Sequence, residues 1–113
     1  MLRPKLKVWV VLDDRIKFGD GRADLLNRIQ KLGSIKKAVA GMGMSYRNAW
    51  GYLRELERAA GFKFLERHPG GGARGGTRLT KEGQAFLTRY RQFRRGLDAV
   101  ARRHFTRSFG QRT

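Results

Sequence analysis

The side chains most able to do chemistry cluster in one stretch, where Ser45, Tyr46, Arg47, Asn48 and Arg54 stand close together. A guanidinium fork matches the edge of guanine and a carboxamide matches the edge of adenine. Arg47 and Asn48 are therefore the best candidates for reading bases, with phosphate contact as their other use. Tyr46 can pad a core or touch a sugar or a thymine methyl. Lys36 and Lys37, just upstream beside Ser34, suit phosphate clamping, and Arg74, Thr77 and Arg78 offer further contacts downstream. From Leu25 to Arg54 there is no Asp or Glu, so nothing in that stretch repels a polyanion. These residues fit a surface for nucleic acid.

Other chemistries find little to work with. His68 and His104 have no carboxylate at a convincing spacing, and two distant histidines without cysteine make no zinc site. Glu55 and Glu57 are two apart on a helix, so they diverge and are expected to pair with nearby arginines. Gly70 to Gly75, GGGARG, matches a dinucleotide fingerprint in form only, because position 95, where an acidic partner belongs, is Arg. Neither an enzyme nor a cofactor is expected.

The reactive stretch must be held by its neighbours. Ser34 can cap a helix that buries Ile35, Ala38, Val39 and Met42, and Gly43 can end it. Ser45 can cap the next helix, whose apolar face would be Ala49, Trp50, Leu53 and Leu56, leaving Arg47, Asn48, Gly51 and Arg54 in solvent. This is the layout of a helix-turn-helix over residues 34–60, whose second helix enters the major groove. Gly51 in its middle costs about 1 kcal/mol relative to Ala. Close approach of DNA or of a neighbouring helix would account for it.

Upstream, Leu6 to Leu12 is β-branched and aromatic, and Asp13-Asp14 can turn it back through Arg15 to Phe18, a hairpin over 6–18. That hairpin either covers the core or joins a dimer interface. A helix over 20–33 follows, with Asp20 as a cap and Leu25, Leu26, Ile29 and Leu32 as its buried stripe. Downstream, Phe62 to Arg67 and Thr77 to Leu79 read as strands flanking the glycine-rich loop, a wing over 62–79 that places Arg74 at its tip. Thr80 can cap a last helix over 80–105. Its Phe86, Tyr90, Phe93, Leu97 and Val100 are spaced four, three, four and three apart, the seam of a coiled-coil-like contact. Twenty-six residues at 1.5 Å span roughly 39 Å, so the helix is expected to project and pair with a second copy. Arg102 to Thr113 is basic and weakly patterned, and is expected to fray.

Composition agrees. The 113 residues suit one domain of mainly α, α+β class, and carry 26 Lys+Arg against nine Asp+Glu, a net charge of +17. Such an excess points to a polyanion, because counterion release drives basic proteins onto nucleic acid. No apolar run nears the ~20 residues of a membrane span, so a cytoplasmic, nucleoid-associated location is expected and a membrane is not. The charge also leaves open an architectural DNA-binding protein of low specificity, or an RNA partner.

Two runs, GSIKKAVAGMGMSYRNAW and FLERHPGGGARGGTRLTKEG, resemble the N-terminal DNA-binding domain of ModE-type molybdate-responsive transcription regulators. More distantly, the LT-x-E-G after the wing resembles the winged helix of LysR-type regulators. The resemblance implies a winged helix-turn-helix that binds duplex DNA as a homodimer over two half-sites. Ser45, Tyr46, Arg47 and Asn48 would open the recognition helix, and Arg74, Thr77 and Arg78 would lie in the wing. Full-length members carry a C-terminal molybdate-binding portion. With the sequence ending at Thr113, a stand-alone regulator without an effector domain or small-molecule effector is expected.

Overall fold

The computed structural model of the chain describes residues 1–68 and 76–110. Its elements are β1 (Val10–Leu12), β2 (Ile16–Phe18), α1 (Asp20–Leu32), α2 (Ile35–Val39), α3 (Tyr46–Ala60), β3 (Leu65–His68), β4 (Gly76–Leu79) and α4 (Lys81–Phe109). Helices α1 to α3 and the β3–β4 hairpin make a winged helix-turn-helix, preceded by a second small hairpin and followed by a long helix.

The core is where the amphipathic faces meet. Helix α1 contributes Leu25, Leu26 and Ile29, α2 contributes Ile35, Ala38 and Val39, and α3 contributes Ala49, Leu53 and Leu56. Leu32, expected in the α1 stripe, is 47% exposed, because it stands in the last turn where Gly33 reverses the chain. Helix α2 stops at Val39, earlier than expected. Gly41 and Gly43 then both take left-handed conformations in the turn to α3.

The N-terminal hairpin is shorter than its sequence pattern. Val10 pairs with Phe18 and Leu12 with Ile16, around a turn at Asp13 and Asp14. The return strand runs straight into Gly19 and α1, so Leu6 to Trp9 have no strand to pair with. Val10, Leu12 and Ile16 pack against the core while Trp9 and Val11 face solvent, so one face of the hairpin covers the core.

Helix α4 is fixed to the body at two places. At its start Thr80 caps it, accepting from the Gly83 N–H at 2.9 Å and donating to the Lys63 carbonyl. Gly83 lies so close to β3 that a β-carbon there would stand 2.7 Å from the Phe64 carbonyl oxygen. Buried Leu79, the Thr80 cap and the contact at Gly83 give the LT-x-E-G string its physical sense. Two turns further on, Phe18 meets Phe86 and Tyr90 edge-on, with ring centroids 4.9 and 5.1 Å apart. Phe86 and Tyr90, expected in a dimer seam, thus pack inside their own chain.

The second anchor is polar. Asp20 does not cap α1, since Gly19 holds the cap position without a side-chain bond. Its carboxylate instead accepts from the Tyr90 hydroxyl and from Arg94 Nε at 3.1 and 3.2 Å. Arg94 also donates to Asp98 at 2.6 Å and to the Leu6 carbonyl at 2.7 Å. Burial pushes the Asp20 pKa up, but the Tyr90 hydroxyl and the Arg94 guanidinium outweigh it and leave the carboxyl below its ordinary 3.8. Burial, and then the neighbouring Asp20, push the Tyr90 phenol up to about 12. Beyond this anchor the basic segment from Arg102 stays helical as far as Phe109, where fraying was expected. Phe105 and Phe109, four apart on one face, stack at 5.0 Å in these last turns.

Gly83→Ala should lower stability by about 1–3 kcal/mol through overpacking against Phe64. An unchanged urea midpoint would show that the approach is slack. Asp20 is lowered in the folded state, so its contribution is present above the unfolded pKa and lost as pH falls through the folded one. The stability gap between wild type and Asp20→Asn should therefore be full near about pH 7 and shrink by about pH 3. A gap equal at both would mean that the carboxylate charge contributes nothing.

Candidate nucleic-acid interface

Two serine caps set the helix-turn-helix. Ser34 Oγ accepts from the Lys37 N–H at 3.1 Å, and Ser45 Oγ accepts from the Asn48 N–H at 3.0 Å. With Ala49, Leu53 and Leu56 buried, the outward line of α3 is Arg47, Gly51, Arg54 and Arg58, spaced four, three and four residues apart. Asn48 is exposed on one flank of that line. On the other flank lie Tyr46 and Trp50, 40% and 37% exposed. Trp50, expected in the core, is thus an aromatic surface beside the basic line. At Gly51 an added β-carbon would meet nothing within 4 Å, so it opens a notch between Arg47 and Arg54.

The wing stands beside the Trp50 flank. Arg67 pairs with Thr77 and Glu66 with Arg78 across β3 and β4. Thr77 N–H donates to the Gly33 carbonyl at 2.9 Å, which hangs β4 on the end of α1. Two clefts of about 400 and 390 Å³ run between wing and helices, and Ile35, Arg67 and Thr77 line both. Tyr46, Ser34 and Lys36 complete the first, and Trp50, Leu65 and Lys63 border the second. Arg67 and Lys63 did not figure in the sequence reading, because their strand was read by its apolar residues. Arg74 and the GGGARG run lie outside the described residues.

The charge balance at this face follows from where its acids are used. Glu57 accepts from the Phe64 and Leu65 N–H groups at 2.8 and 3.1 Å, so of the two helix carboxylates only Glu55 pairs with an arginine, Arg58, at 2.7 Å. Glu66 meets His68 at 3.1 Å across β3, a pair made by strand spacing. Lys36, Lys37, Arg47, Arg54, Lys63, Arg67 and Arg78 make no side-chain hydrogen bond or ion pair among the described residues. Unpaired cations beside two helix starts, with an aromatic flank, suit a phosphate backbone and base edges. Among the described residues no cluster of three His, Cys, Asp or Glu could hold a metal, and no helix is long and apolar enough to cross a membrane.

The family pattern of bacterial regulatory helix-turn-helix proteins, lysR family, matches residues 22–84, from the first turn of α1 to the first turn of α4. The chain belongs to that family. It is also similar to transcriptional regulator ModE of Haemophilus influenzae, 31% identical over 90 residues, which cover 80% of this chain and 35% of that protein. The DNA-binding transcriptional dual regulator ModE of Escherichia coli K12 is 35% identical over 89 residues, 79% of this chain and 34% of the relative. A molybdenum transport protein ModE of Herbaspirillum seropedicae is 35% identical over 95 residues, 84% of this chain and 33% of the relative. The chain thus spans about a third of the length of these relatives. The matched span takes in α2, α3 and the β3–β4 hairpin, and with them the basic line of α3.

Gly51→Ala should raise stability by up to about 1 kcal/mol, since the site is open and Ala favours the helix. The same change should weaken duplex binding, which fluorescence anisotropy would measure. Undiminished binding would show that the notch is not at the contact.

Proposed function

We propose that this chain is a sequence-specific, double-stranded-DNA-binding transcriptional regulator that acts as a homodimer on nucleoid DNA in the cytoplasm. The observation that carries this reading is the outward line Arg47–Gly51–Arg54 on a capped helix, flanked by unpaired Lys36, Lys37, Arg67 and Arg78. Arg47, Asn48 and Arg54 read base edges in the major groove. Tyr46 and Trp50 supply apolar contact on the wing side. Lys36, Lys37, Arg67, Arg78 and Thr77 hold the sugar-phosphate rails, and Arg74 belongs to that set by its place in the sequence. Ser34 and Ser45 act by capping, which points the first N–H groups of their helices outward. The relative from Herbaspirillum seropedicae is named a molybdenum transport protein, so promoters of molybdenum uptake genes are the first place to search for sites.

Pairing of two copies falls to the projecting half of α4. With Phe86 and Tyr90 inside the monomer, the seam reduces to Phe93, 44% exposed, half-buried Leu97, and Val100, 41% exposed. Twenty-nine residues make α4 roughly 43 Å long, and the chain measures 55 Å along its longest axis against 30 and 23 Å. A dimer through this seam sets two recognition helices on half-sites whose centres are about 34–36 Å apart.

Selection of bound sequences from a random duplex pool tests the specificity. The selected site should outcompete bulk DNA by ~10³ or more. Arg47→Ala should weaken that site by about 1–3 kcal/mol while barely changing binding to random duplex. Equal loss on both would make Arg47 a phosphate contact, and absence of any selected site would favour an architectural protein. Phe93→Asp with Val100→Asp should halve the mass in sedimentation equilibrium at micromolar concentration.

A further inference from the structure

The far half of α4 carries more cation than a seam between two copies needs. From Arg89 to Arg107 there are seven arginines and one acid, Asp98. That acid is taken by Arg94 at 2.6 Å, and Arg91 donates to Asn27 at 2.7 Å. Arg95, Arg102, Arg103 and Arg107 are exposed and have no hydrogen-bond or ion-pair partner among the described residues. Arg102, Arg103 and Arg107 line one shallow cleft with Ala99 and Thr106, and Arg95 and Arg102 share the next with Pro4, Leu6, Ala101 and the Arg94-paired Asp98. Residues two apart on a helix point to nearly opposite sides. Arg95 is two from both Phe93 and Leu97, and Arg102 is two from Val100, so these two lie across the helix from the seam, whereas Arg103 and Arg107, three and seven from Val100, lie beside it. Arg103 and Arg107, four apart, repel one another, and no carboxylate among the described residues pairs with either.

This ridge is remote from the recognition helix. Helix α4 runs antiparallel to α1, for Arg91 meets Asn27 while Arg94 meets Asp20 at the opposite end of α1. The far end of α1, at Gly33, is the end beside Tyr46 and Gly76. Along that axis the 13 residues of α1 and the 14 from Arg94 to Arg107 each span about 20 Å. Measured from the Gly33 end of α1, beside the start of α3, Arg95 therefore stands roughly 20 Å away and Arg107 roughly 40 Å, so the outer end of the ridge lies beyond the ~34–36 Å of one DNA turn.

We infer that Arg95, Arg102, Arg103 and Arg107 form a second polyanion surface whose ligand is the phosphate backbone of a second DNA duplex, so that a single chain can bridge two segments. The inference does not rest on the dimer, because both surfaces belong to one chain. It gives the excess charge a specific place.

The test uses the full chain, wild type and in the Phe93→Asp/Val100→Asp background, which keeps the dimer from bridging through its two recognition helices. A mixed-sequence duplex is fixed on beads and capture of a second, fluorescent duplex is measured. Replacing the four arginines by Gln, which keeps helix propensity, should cut capture by about tenfold or more. Affinity for a single short duplex in solution should change by less than about threefold. Should the quadruple variant lose its helical circular dichroism, Arg102→Gln with Arg103→Gln carries the same expectation at smaller size. Unchanged capture overturns the inference. An equal loss of capture and of single-duplex affinity also overturns it, since the ridge then grips the same duplex as α3. Preferential capture of structured RNA overturns it in favour of an RNA partner.

Discussion

The basic face depends on one carboxylate that points inward. Glu57, near the end of α3, accepts from the backbone N–H groups of Phe64 and Leu65 at 2.8 and 3.1 Å. Those groups stand at the start of β3, so this one side chain bonds α3 to the wing on top of their shared apolar core. Hydrogen bonds to a charged acceptor are worth about 1.5–3 kcal/mol each, and leaving buried amides unpaired costs a similar amount. The same side chain lines the cleft beside Lys63, where its two backbone bonds hold it in place. Two backbone bonds complete the frame: Thr80 to the Phe64 carbonyl, and Thr77 to the Gly33 carbonyl.

Helix count, order and type were legible in the sequence because every helix has its period and three of the four have a serine or threonine cap. Ser34, Ser45 and Thr80 all accept from the N–H three residues on, as their positions imply. What was not legible lies at the edges of apolar stripes. Tyr52 and Trp50 flank the same buried line of α3. The Tyr52 hydroxyl is covered by the Lys17 carbonyl from the hairpin, and Arg22 lies 4.4 Å over its ring. Trp50 faces the open cleft on the wing side. Nothing in the local spacing separates the two cases, because neighbours remote in sequence decide them.

The four-three-four-three spacing on α4 shows the same limit. It fits a seam between chains and a contact within one chain equally well. Phe18 and Phe64, from the two hairpins, claim Phe86 for the core, and Phe18 and Asp20 claim Tyr90. The spacing continues beyond them, but the function of the stripe changes at Arg94, where the body ends. Asp20 was read as a cap because it opens a helix, and that local reading failed for the same reason. A partner 74 residues away outcompetes the local N–H groups.

Arg94 marks the point at which one helix passes from core element to projecting arm. Before it, α4 is held by apolar burial and by the close approach of Gly83 to β3. At it, a guanidinium 16% exposed gathers Asp20, Asp98 and the Leu6 carbonyl. After it, arginines predominate and the one acid in the sequence is Asp98, which pairs back to Arg94. A charge of +17 spread evenly would oppose folding by self-repulsion at every point. Three of the nine acids sit at joints of the fold: Glu57 between α3 and the wing, Asp20 and Asp98 at the root of α4. Exposed cations without a partner among the described residues gather on α3 with its flanks and on the outer half of α4, where an external polyanion, rather than an internal carboxylate, has room to neutralise them.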